Sequence, residues 1–474
     1  MRRFIGLCLS LAMVLTLFVA CGTEKQPQTS DNTSVASTSD VPKTDATTET
    51  TVTTPTAEKI DLEGYKFVFY HDVDISRYMP QPNLNALHDE WLAEMREIEE
   101  KYNFTYNEQQ GSSNYETYYT ATMGGISLGD FCMTTQTHYI PGGITNVFEP
   151  LDSEKMLAAG FNPYDETKWN QEYSSLTNIG GHYWGVLPVS KYITMPLGFM
   201  VIFNKDIVES LGYDLYEIVR NNEWTWDKYL EVAQKASIDN DGDGIYDRWG
   251  IASVPGQVEM YTNGGGILQN VDSKWTYVGN TPSVVESLQF IYDEYNLGYY
   301  NTALTKGSEK ADLFVRGDAA MTWVAWYHLQ PYGGDPFWQC EFDYGVIPSP
   351  MGPSADGYVN VVDGLDAFVM MTTNQNYEKS VICMNAYGEA FNSPNWTERY
   401  EDGRLRDEES MEMITEYIAP NMVVNVNRIQ PDVRSVITDE IVVPVRQGDL
   451  SISTALESQE QVIQKMLDDF FHQN

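Results

Sequence analysis

The chain has 474 residues, of which 13% are aromatic, and its 68 acidic residues against 29 lysines and arginines give a formal net charge of −39. Nucleic acids and other polyanions need neutralising basic residues, so this charge argues against such partners. The spacing of the five cysteines matches no zinc motif. We expect Cys132, Cys340 and Cys383 to be buried thiols, the alternative being one disulfide and one free thiol.

The N-terminus has the pattern of a secretory signal peptide. Two arginines precede an apolar run that stops at Ala20-Cys21-Gly22. Cys21 resembles the acylated cysteine of a bacterial lipobox, although Phe18 stands where that motif usually has leucine. We expect residues 1–20 to be removed and Cys21 to carry acyl chains that anchor the protein in a membrane. The alternative is an ordinary signal peptide.

Composition divides the rest of the chain into a tether and a folded body. Residues 21–58 are rich in threonine, serine and aspartate and contain no aromatic residue. Such a segment buries too little apolar surface to become ordered, which predicts a flexible tether. Residues 59–474 form a longer segment than usually folds around a single hydrophobic core, so we expect two lobes. No later apolar run reaches the length of a membrane span.

Periodicity predicts the first elements of the body. Residues 64–74 alternate like a β-strand, residues 85–107 place an apolar face at helical spacing, and GDFCMTT (129–135) has the character of a short buried strand. Strand, helix and strand in this order open a parallel α/β sheet.

Later helices are marked by their first residues. Thr225 is placed to cap a helix over 226–235, and Thr281 precedes Pro282 at the start of another. We assign Trp224 and Trp226 to packing at the first of these helix starts. The chain ends in a further amphipathic helix, within residues 448–471.

Seven passages resemble, in the same order, the extracellular solute-binding proteins of bacterial ABC importers, in particular the carbohydrate-binding family that includes maltose-binding proteins. The passages are GGHYWGVLPVSKYITMPLGFMVIFNKDIVESLG, WTWDKYLEVAQKA, DGDGIYDRWGIA, YTNGGGIL, FVRGDAAMTWVAWYHL, YGVIPSPMGP and VVDGLDAFVM. No single passage is diagnostic, but their shared order extends over most of the body.

The resemblance implies a bilobal periplasmic-binding-protein-like α/β fold, with two discontinuous lobes and a ligand cleft between them. We expect lobe one over about 60–180 and 343–395, and lobe two over about 181–342 and 396–474. It further implies a monomer that captures a carbohydrate, in particular an oligosaccharide, by lobe closure without chemistry. The membrane permease subunits of an ABC importer would be its partners. The long tether and the lipobox favour a Gram-positive-type lipoprotein on the outer face of the cell membrane.

Candidate ligand residues follow from the chemistry of sugars. Sugar C–H faces stack on aromatic rings, and hydroxyl groups need carboxylates and amides. Ligands in open α/β sheets lie beyond the carboxyl ends of strands. Trp323, Trp326 and Tyr327 lie where the similar family has stacking residues. The other candidates, at strand ends, turns and the first crossing segment, are His71, Asp72, Thr134, Gln136, Tyr192, Glu259, Tyr261, Asn263, Asp363 and Gly364.

The passage DNDGDGIYD (239–247) resembles a calcium-binding loop. Asp239, Asp241, Asp243 and Asp247 occupy the first, third, fifth and ninth positions, and Ile245 offers its backbone carbonyl at the seventh. The twelfth position, normally a bidentate glutamate, is a glycine. A structural Ca²⁺ site and a solvated acidic turn are both open, and we expect no catalytic cofactor.

Two other functions remain open. A secreted glycoside hydrolase would need two carboxylates facing each other across a cleft, and no motif fixes such a pair. A binding protein for a peptide or polyol would use an equally aromatic cleft, which the sequence does not distinguish from a sugar site.

Overall fold

The structure is a computed structural model, and it describes residues 60–272, 274–329, 336–391, 396–397 and 405–472. The predicted signal peptide, Cys21 and the tether lie outside these residues. Lys59–Asn474 form one compact unit. Among the described residues, each helix is too short or too polar to cross a membrane.

The described residues form strands and helices in alternation. The strands are β1 (Tyr65–His71), β2 (Phe104–Gln110), β3 (Phe131–Thr135), β4 (Phe148–Glu149), β5 (Asn178–Ile179), β6 (His182–Tyr183), β7 (Phe199–Asn204), β8 (Trp249–Ile251), β9 (Leu268–Val271), β10 (Lys274–Tyr277), β11 (Ala319–Ala325), β12 (Tyr344–Ile347), β13 (Asn360–Val362), β14 (Asp366–Met371) and β15 (Met422–Val424). The α-helices span Ala86–Tyr102, Tyr115–Met123, Gln136–Ile144, Glu154–Ala158, Gln171–Ser174, Lys205–Ser210, Leu215–Arg220, Trp226–Ala236, Pro282–Asn296, Gly307–Val315, Tyr377–Phe391, Glu408–Glu412, Pro431–Val436, Val443–Gln447 and Ile452–Phe471.

Shorter helical segments fill several connections. Two segments are π-helical, Met413–Ile418 and Ile437–Val442. The 3₁₀ turns are Ile75–Arg77, Ser175–Thr177, Val258–Asn263, Trp326–Leu329, Pro336–Gln339, Ala419–Asn421 and Val426–Arg428.

Lobe one is built on a five-stranded sheet in the order β2-β1-β3-β14-β4. β1 runs parallel to β2 and β3, whereas β14 is antiparallel to β3 and β4. The predicted strand–helix–strand opening is therefore confirmed. The helix ends earlier than predicted, at Tyr102, because Asn103 takes a left-handed conformation with φ 54°. β2 begins directly after it and was missed.

Lobe two is built on a four-stranded sheet in the order β12-β7-β11-β8. β7 is antiparallel to β11 and β12, and β11 is parallel to β8. The predicted lobe boundary at residue 343 is wrong by one strand, because β12 pairs with β7 of the second sheet rather than with lobe one. The apolar sequence of β12 is compatible with either sheet, and its backbone pairing with β7 determines the lobe to which it belongs.

The chain crosses between the lobes before β7 and again around β13. The crossing segments touch closely, since a Cβ atom on Gly198 would lie 2.7 Å from the carbonyl carbon of Val361. β13 pairs in parallel with β15, which brings the C-terminal part of the chain to the crossing. The last helix, Ile452–Phe471, then packs against β10 in lobe two, as the sequence predicts.

Two helix starts test the predicted caps. The Thr225 hydroxyl accepts from the Lys228 amide at 3.3 Å, so this cap is confirmed. Thr281 stands at the N-cap position, but its hydroxyl donates to the Val278 carbonyl at 2.9 Å instead of capping. Trp226 stacks on Phe290 with ring centroids 4.2 Å apart, and Trp224 is fully buried, which confirms their packing role. The three cysteines of the body are buried free thiols, as expected.

Candidate functional site

A cleft lies between the two sheets, at the ends of β1, β11 and β13. Its inner part is a cavity of about 300 Å³ whose lining includes Arg77, Phe199, Trp326, Tyr327, Asp363 and Arg428. Four of the predicted residues, Trp326, Tyr327, Asp363 and Gly364, are brought together there. The cleft therefore combines aromatic rings with charged groups from both lobes.

The aromatic wall comes from the end of β11. Trp326 is almost fully buried, whereas Tyr327 keeps 41% of its surface exposed. The Arg77 guanidinium, from lobe one, lies 5.7 Å from the Trp326 ring centroid and 5.5 Å from that of Tyr327. These distances are within the range of cation–π attraction. The contact joins the two lobes across the cleft and leaves the Tyr327 ring accessible.

The floor of the cleft is an ion pair. Asp363 accepts hydrogen bonds from Arg428 and, at 2.6 Å, from the Asn425 amide. Burial raises the pKa of Asp363, and the Arg428 charge opposes this rise. Gln136 fixes the turn at residues 363–365 through two hydrogen bonds. Its side-chain amide donates to the Asp363 carbonyl at 3.4 Å, and its side-chain carbonyl accepts from the Leu365 amide. Gln136 is thus placed to support the floor of the cleft.

Asp366 is a second carboxylate of the inner cavity. It accepts a hydrogen bond from the Tyr78 hydroxyl at 3.0 Å. Burial raises the pKa of Asp366 to about 6, and this rise is opposed by the Tyr78 hydrogen bond and by the Arg77 charge. The side chain therefore changes its protonation near neutral pH.

A second cavity, of about 470 Å³ and called the outer cavity below, is likewise lined by residues of both lobes. Tyr115, Thr137 and His138 line it from lobe one. Lobe two contributes residues of its C-terminal helical segments, among them Arg434, Ser435, Thr438 and Asp439. Polar groups and one half-buried aromatic ring therefore face each other across this part of the cleft.

Asp72 and Thr134 lie behind His138. Asp72 Oδ2 accepts from Tyr118 at 3.0 Å and from Thr134 at 2.8 Å, and it lies 2.9 Å from His138 Nδ1. Asp72 Oδ1 is buried and has no hydrogen-bond partner in the described part of the chain. The network orients His138, the member that lines the cavity.

Three other predicted residues are held by contacts within the lobes. His71 lies at the end of β1 with Nε2 3.3 Å from Glu108. Tyr192 stacks on Trp91 with an interplanar angle of 4°. Trp323 donates to the Tyr229 hydroxyl at 2.9 Å in the core of lobe two. None of the three lines the two cavities of the cleft.

Glu259 and Asn263 are also interior residues of lobe two. Glu259 accepts from the Gly256 amide at 3.0 Å. Asn263 donates to the Ser283 carbonyl and to Glu286, so it fixes a turn.

Tyr261 lines a different and larger groove, of about 1090 Å³, together with Trp275 and Tyr358. We place the candidate site in the smaller cleft because charged and aromatic side chains of both lobes converge there.

Sequence reasoning missed several residues of the cleft. Arg77 ends the 3₁₀ turn after β1, and Tyr115 begins the helix after β2. Arg428 and Arg434 come from the C-terminal part of the chain, where the sequence carries no strand-end signal. Asp366 is the missed residue that the sequence could most easily have indicated, because it lies three residues after the predicted Asp363.

The acidic loop gathers part of its predicted ligand set. Single carboxylate oxygens of Asp239, Asp241 and Asp247 lie within 4.8 Å of one another. Asp243 is outside this group, and its carboxylate accepts from the Ile245 amide at 2.8 Å. Oxygen atoms from several carboxylates are the ligands that Ca²⁺ prefers, so the three residues suit such an ion.

Comparison with known proteins gives a family match over part of the chain and a similar fold over most of it. Residues 161–381 match the family described as bacterial extracellular solute-binding protein. The structure of the sugar-binding protein MalE from Xanthomonas citri is similar with a TM-score of 0.59 and 13% identity, covering 86% of this chain and 100% of that one. The structure of an ABC substrate-binding protein from Listeria monocytogenes in complex with cycloalternan is similar with a TM-score of 0.56 and 19% identity. The match covers 85% of this chain and 99% of that one.

A third similar structure is the cyclic α-maltosyl-1,6-maltose binding protein from Arthrobacter globiformis. Its TM-score is 0.57 with 16% identity, covering 86% of this chain and all of that protein. At these identities the likeness shows the fold. The family match over residues 161–381 and the shared bilobal fold together confirm the predicted resemblance to bacterial extracellular solute-binding proteins.

Proposed function

We propose that the protein captures a carbohydrate, in particular an oligosaccharide, outside the cell and delivers it to the permease subunits of an ABC importer. The observation that carries this proposal is the cleft between the lobes, where the accessible Tyr327 ring stands beside Arg77, Asp363 and Arg428. An aromatic face together with charged hydrogen-bonding groups is what a sugar requires.

The ligands of similar proteins support the same class of cargo. The neighbours named above are described as binding cycloalternan and a cyclic maltosyl-maltose, and a further one, from Bdellovibrio bacteriovorus, is bound to maltotriose. Capture then works by lobe closure. A ligand that contacts both lobes stabilises the closed state, and the sugar is not chemically changed.

We further propose a lipid anchor at Cys21, with the folded body monomeric and held outside the membrane by residues 21–58. The support is the signal-like N-terminus and the lipobox-like cysteine in the sequence. We also propose a structural Ca²⁺ on Asp239, Asp241 and Asp247, supported by the proximity of their carboxylates.

Thermal unfolding against a panel of mono- and oligosaccharides tests the binding function. A ligand at a hundredfold excess over its Kd raises stability by about 2.7 kcal/mol. We expect one class of glycan to shift the transition and to be recovered intact. Recovery of a cleaved glycan would favour the glycoside hydrolase instead. If peptides or polyols shift the transition and no glycan does, the cargo is not a carbohydrate.

A further inference from the structure

One cation in the cleft, Arg434, forms no ion pair with any residue that the structure describes. Arg434 lines the outer cavity, and its guanidinium has neither a hydrogen-bond acceptor nor an ion-pair partner among the residues that the structure describes. The charges of Arg428 and Asp363 act on it in opposite directions. Burial lowers the pKa of Arg434, and the adjacent Arg428 lowers it further. An anion bound beside such a half-buried arginine would stabilise its charged form.

The nearby carboxylates of Asp363 and Asp366 already accept hydrogen bonds from other residues. Asp363 is bonded to Arg428 and Asn425, and Asp366 is bonded to Tyr78. Asp439 lines the same cavity as Arg434 but lies outside ion-pair distance of it. The cleft therefore holds an available guanidinium.

Other cleft cations reinforce this one. Arg77 lies at the inner cavity against the Trp326 and Tyr327 rings, and its Nε lies 3.6 Å from the exposed Asp74 carboxylate. Arg428 Nε is buried and unbonded within the described structure. Three arginines thus line the two cavities between the lobes, in a chain that has only 29 lysines and arginines and a net charge of −39. Such concentration of positive charge suits a ligand that carries a negative charge.

We propose that the cargo is an acidic carbohydrate, whose anionic group is bound by Arg434 with Arg428 beside it. This inference rests on the proposed function and narrows its substrate class. The planar guanidinium donates two parallel hydrogen bonds to a carboxylate or a sulfate oxygen pair. The Tyr115 ring, in the same cavity, offers an apolar face to the sugar that carries the group.

Calorimetric titration of the purified protein with paired ligands tests the proposal. The probes are trisaccharides of galacturonate, mannuronate and glucuronate, each beside its neutral methyl ester, together with a sulfated galactan oligosaccharide and maltotriose. We expect at least one acid to bind about tenfold or more tightly than its ester, because a hydrogen bond to a charged group contributes at least 1.5 kcal/mol. The Kd for the acid should rise with salt.

Variants assign the effect to the residue. In Arg434→Gln the preference for the acid and most of its salt dependence should disappear, while the affinity for the ester stays within about threefold. Arg434→Lys keeps the charge without the planar fork, so it should restore part of the preference. Arg316→Gln is the matched control, because Arg316 is 58% exposed and pairs with Asp318 away from the cleft. An unchanged unfolding temperature shows that each variant is folded.

The outcomes separate the inference from the proposed function. If neutral esters or maltotriose bind as tightly as the acids, the inference is overturned and the carbohydrate function stands. If the acids are preferred but Arg434→Gln keeps the preference, the assignment to Arg434 is overturned. Tighter binding of the sulfated glycan would support the anionic class and name sulfate as the group. If no glycan binds, both the inference and the proposed function are contradicted.

Discussion

Replacing Asp366 by asparagine should stabilise the protein at neutral pH. Burial raises the pKa of Asp366 from its ordinary 3.8 to about 6. The folded state therefore binds this proton more tightly than the unfolded chain, and the contribution of Asp366 to stability falls as pH rises from about 4 to beyond 6. At pH 7 the ionised carboxylate destabilises the fold by about 3 kcal/mol, since each pKa unit corresponds to about 1.4 kcal/mol.

Asparagine resembles the protonated acid and can still accept the Tyr78 hydrogen bond. We expect Asp366→Asn to exceed the wild type by up to about 3 kcal/mol at pH 7 and by less than about 1 kcal/mol at pH 4. Urea unfolding at both pH values measures this difference. The control is Asp272→Asn, at an exposed turn with φ 50° that asparagine adopts readily. Equal stability of Asp366→Asn and wild type at pH 7 would refute the account of this carboxyl group.

Three further predictions concern separate parts of the molecule. Tyr327→Ala should weaken glycan binding about tenfold in calorimetry by removing a stacking face. Tyr164→Ala, at a tyrosine that is also exposed but lies outside the two cavities, should not; equal losses would contradict the role of Tyr327 in the aromatic wall. Burial and the Glu259 charge raise the pKa of Glu294 well above its ordinary value, so the proton that stabilises the folded state is lost as pH rises. Glu294→Gln should therefore unfold at a higher temperature than the wild type at pH 8, and the difference in unfolding temperature should become smaller towards pH 4. A chelator should lower the unfolding temperature of the wild type but not of Asp241→Asn, and an unchanged wild type would make the loop an acidic turn.

The fold was predictable where local patterns matched their environment. The helix at residues 86–102 shows its buried face as a spacing of apolar residues, and Thr225 marks a helix start by a hydroxyl that caps it. β2 escaped because it is an edge strand with a mostly exposed sequence, FTYNEQQ, held by backbone pairing with β1. β12 was placed in the wrong lobe because its apolar residues do not reveal which sheet they join.

The site was predictable only in part for a related reason. Trp323 and Trp326 are three residues apart, but β11 continues through Ala325, so Trp323 packs inside the lobe and the residues after the strand reach the cleft. The sequence does not show where that strand ends. Arg428 and Arg434 enter the cleft because β15 pairs with β13, a contact between segments some 60 residues apart that no local pattern encodes.

The central claim is that the cleft binds a carbohydrate and returns it unchanged. Calorimetric titration with the glycan that most raises the unfolding temperature, followed by mass analysis of the recovered sugar, tests it most directly. We expect one glycan to bind per protein, Tyr327→Ala to weaken this binding, and the sugar to be recovered intact. Binding that Tyr327→Ala leaves unaltered would contradict the location of the site, and a cleaved sugar would contradict transport without chemistry.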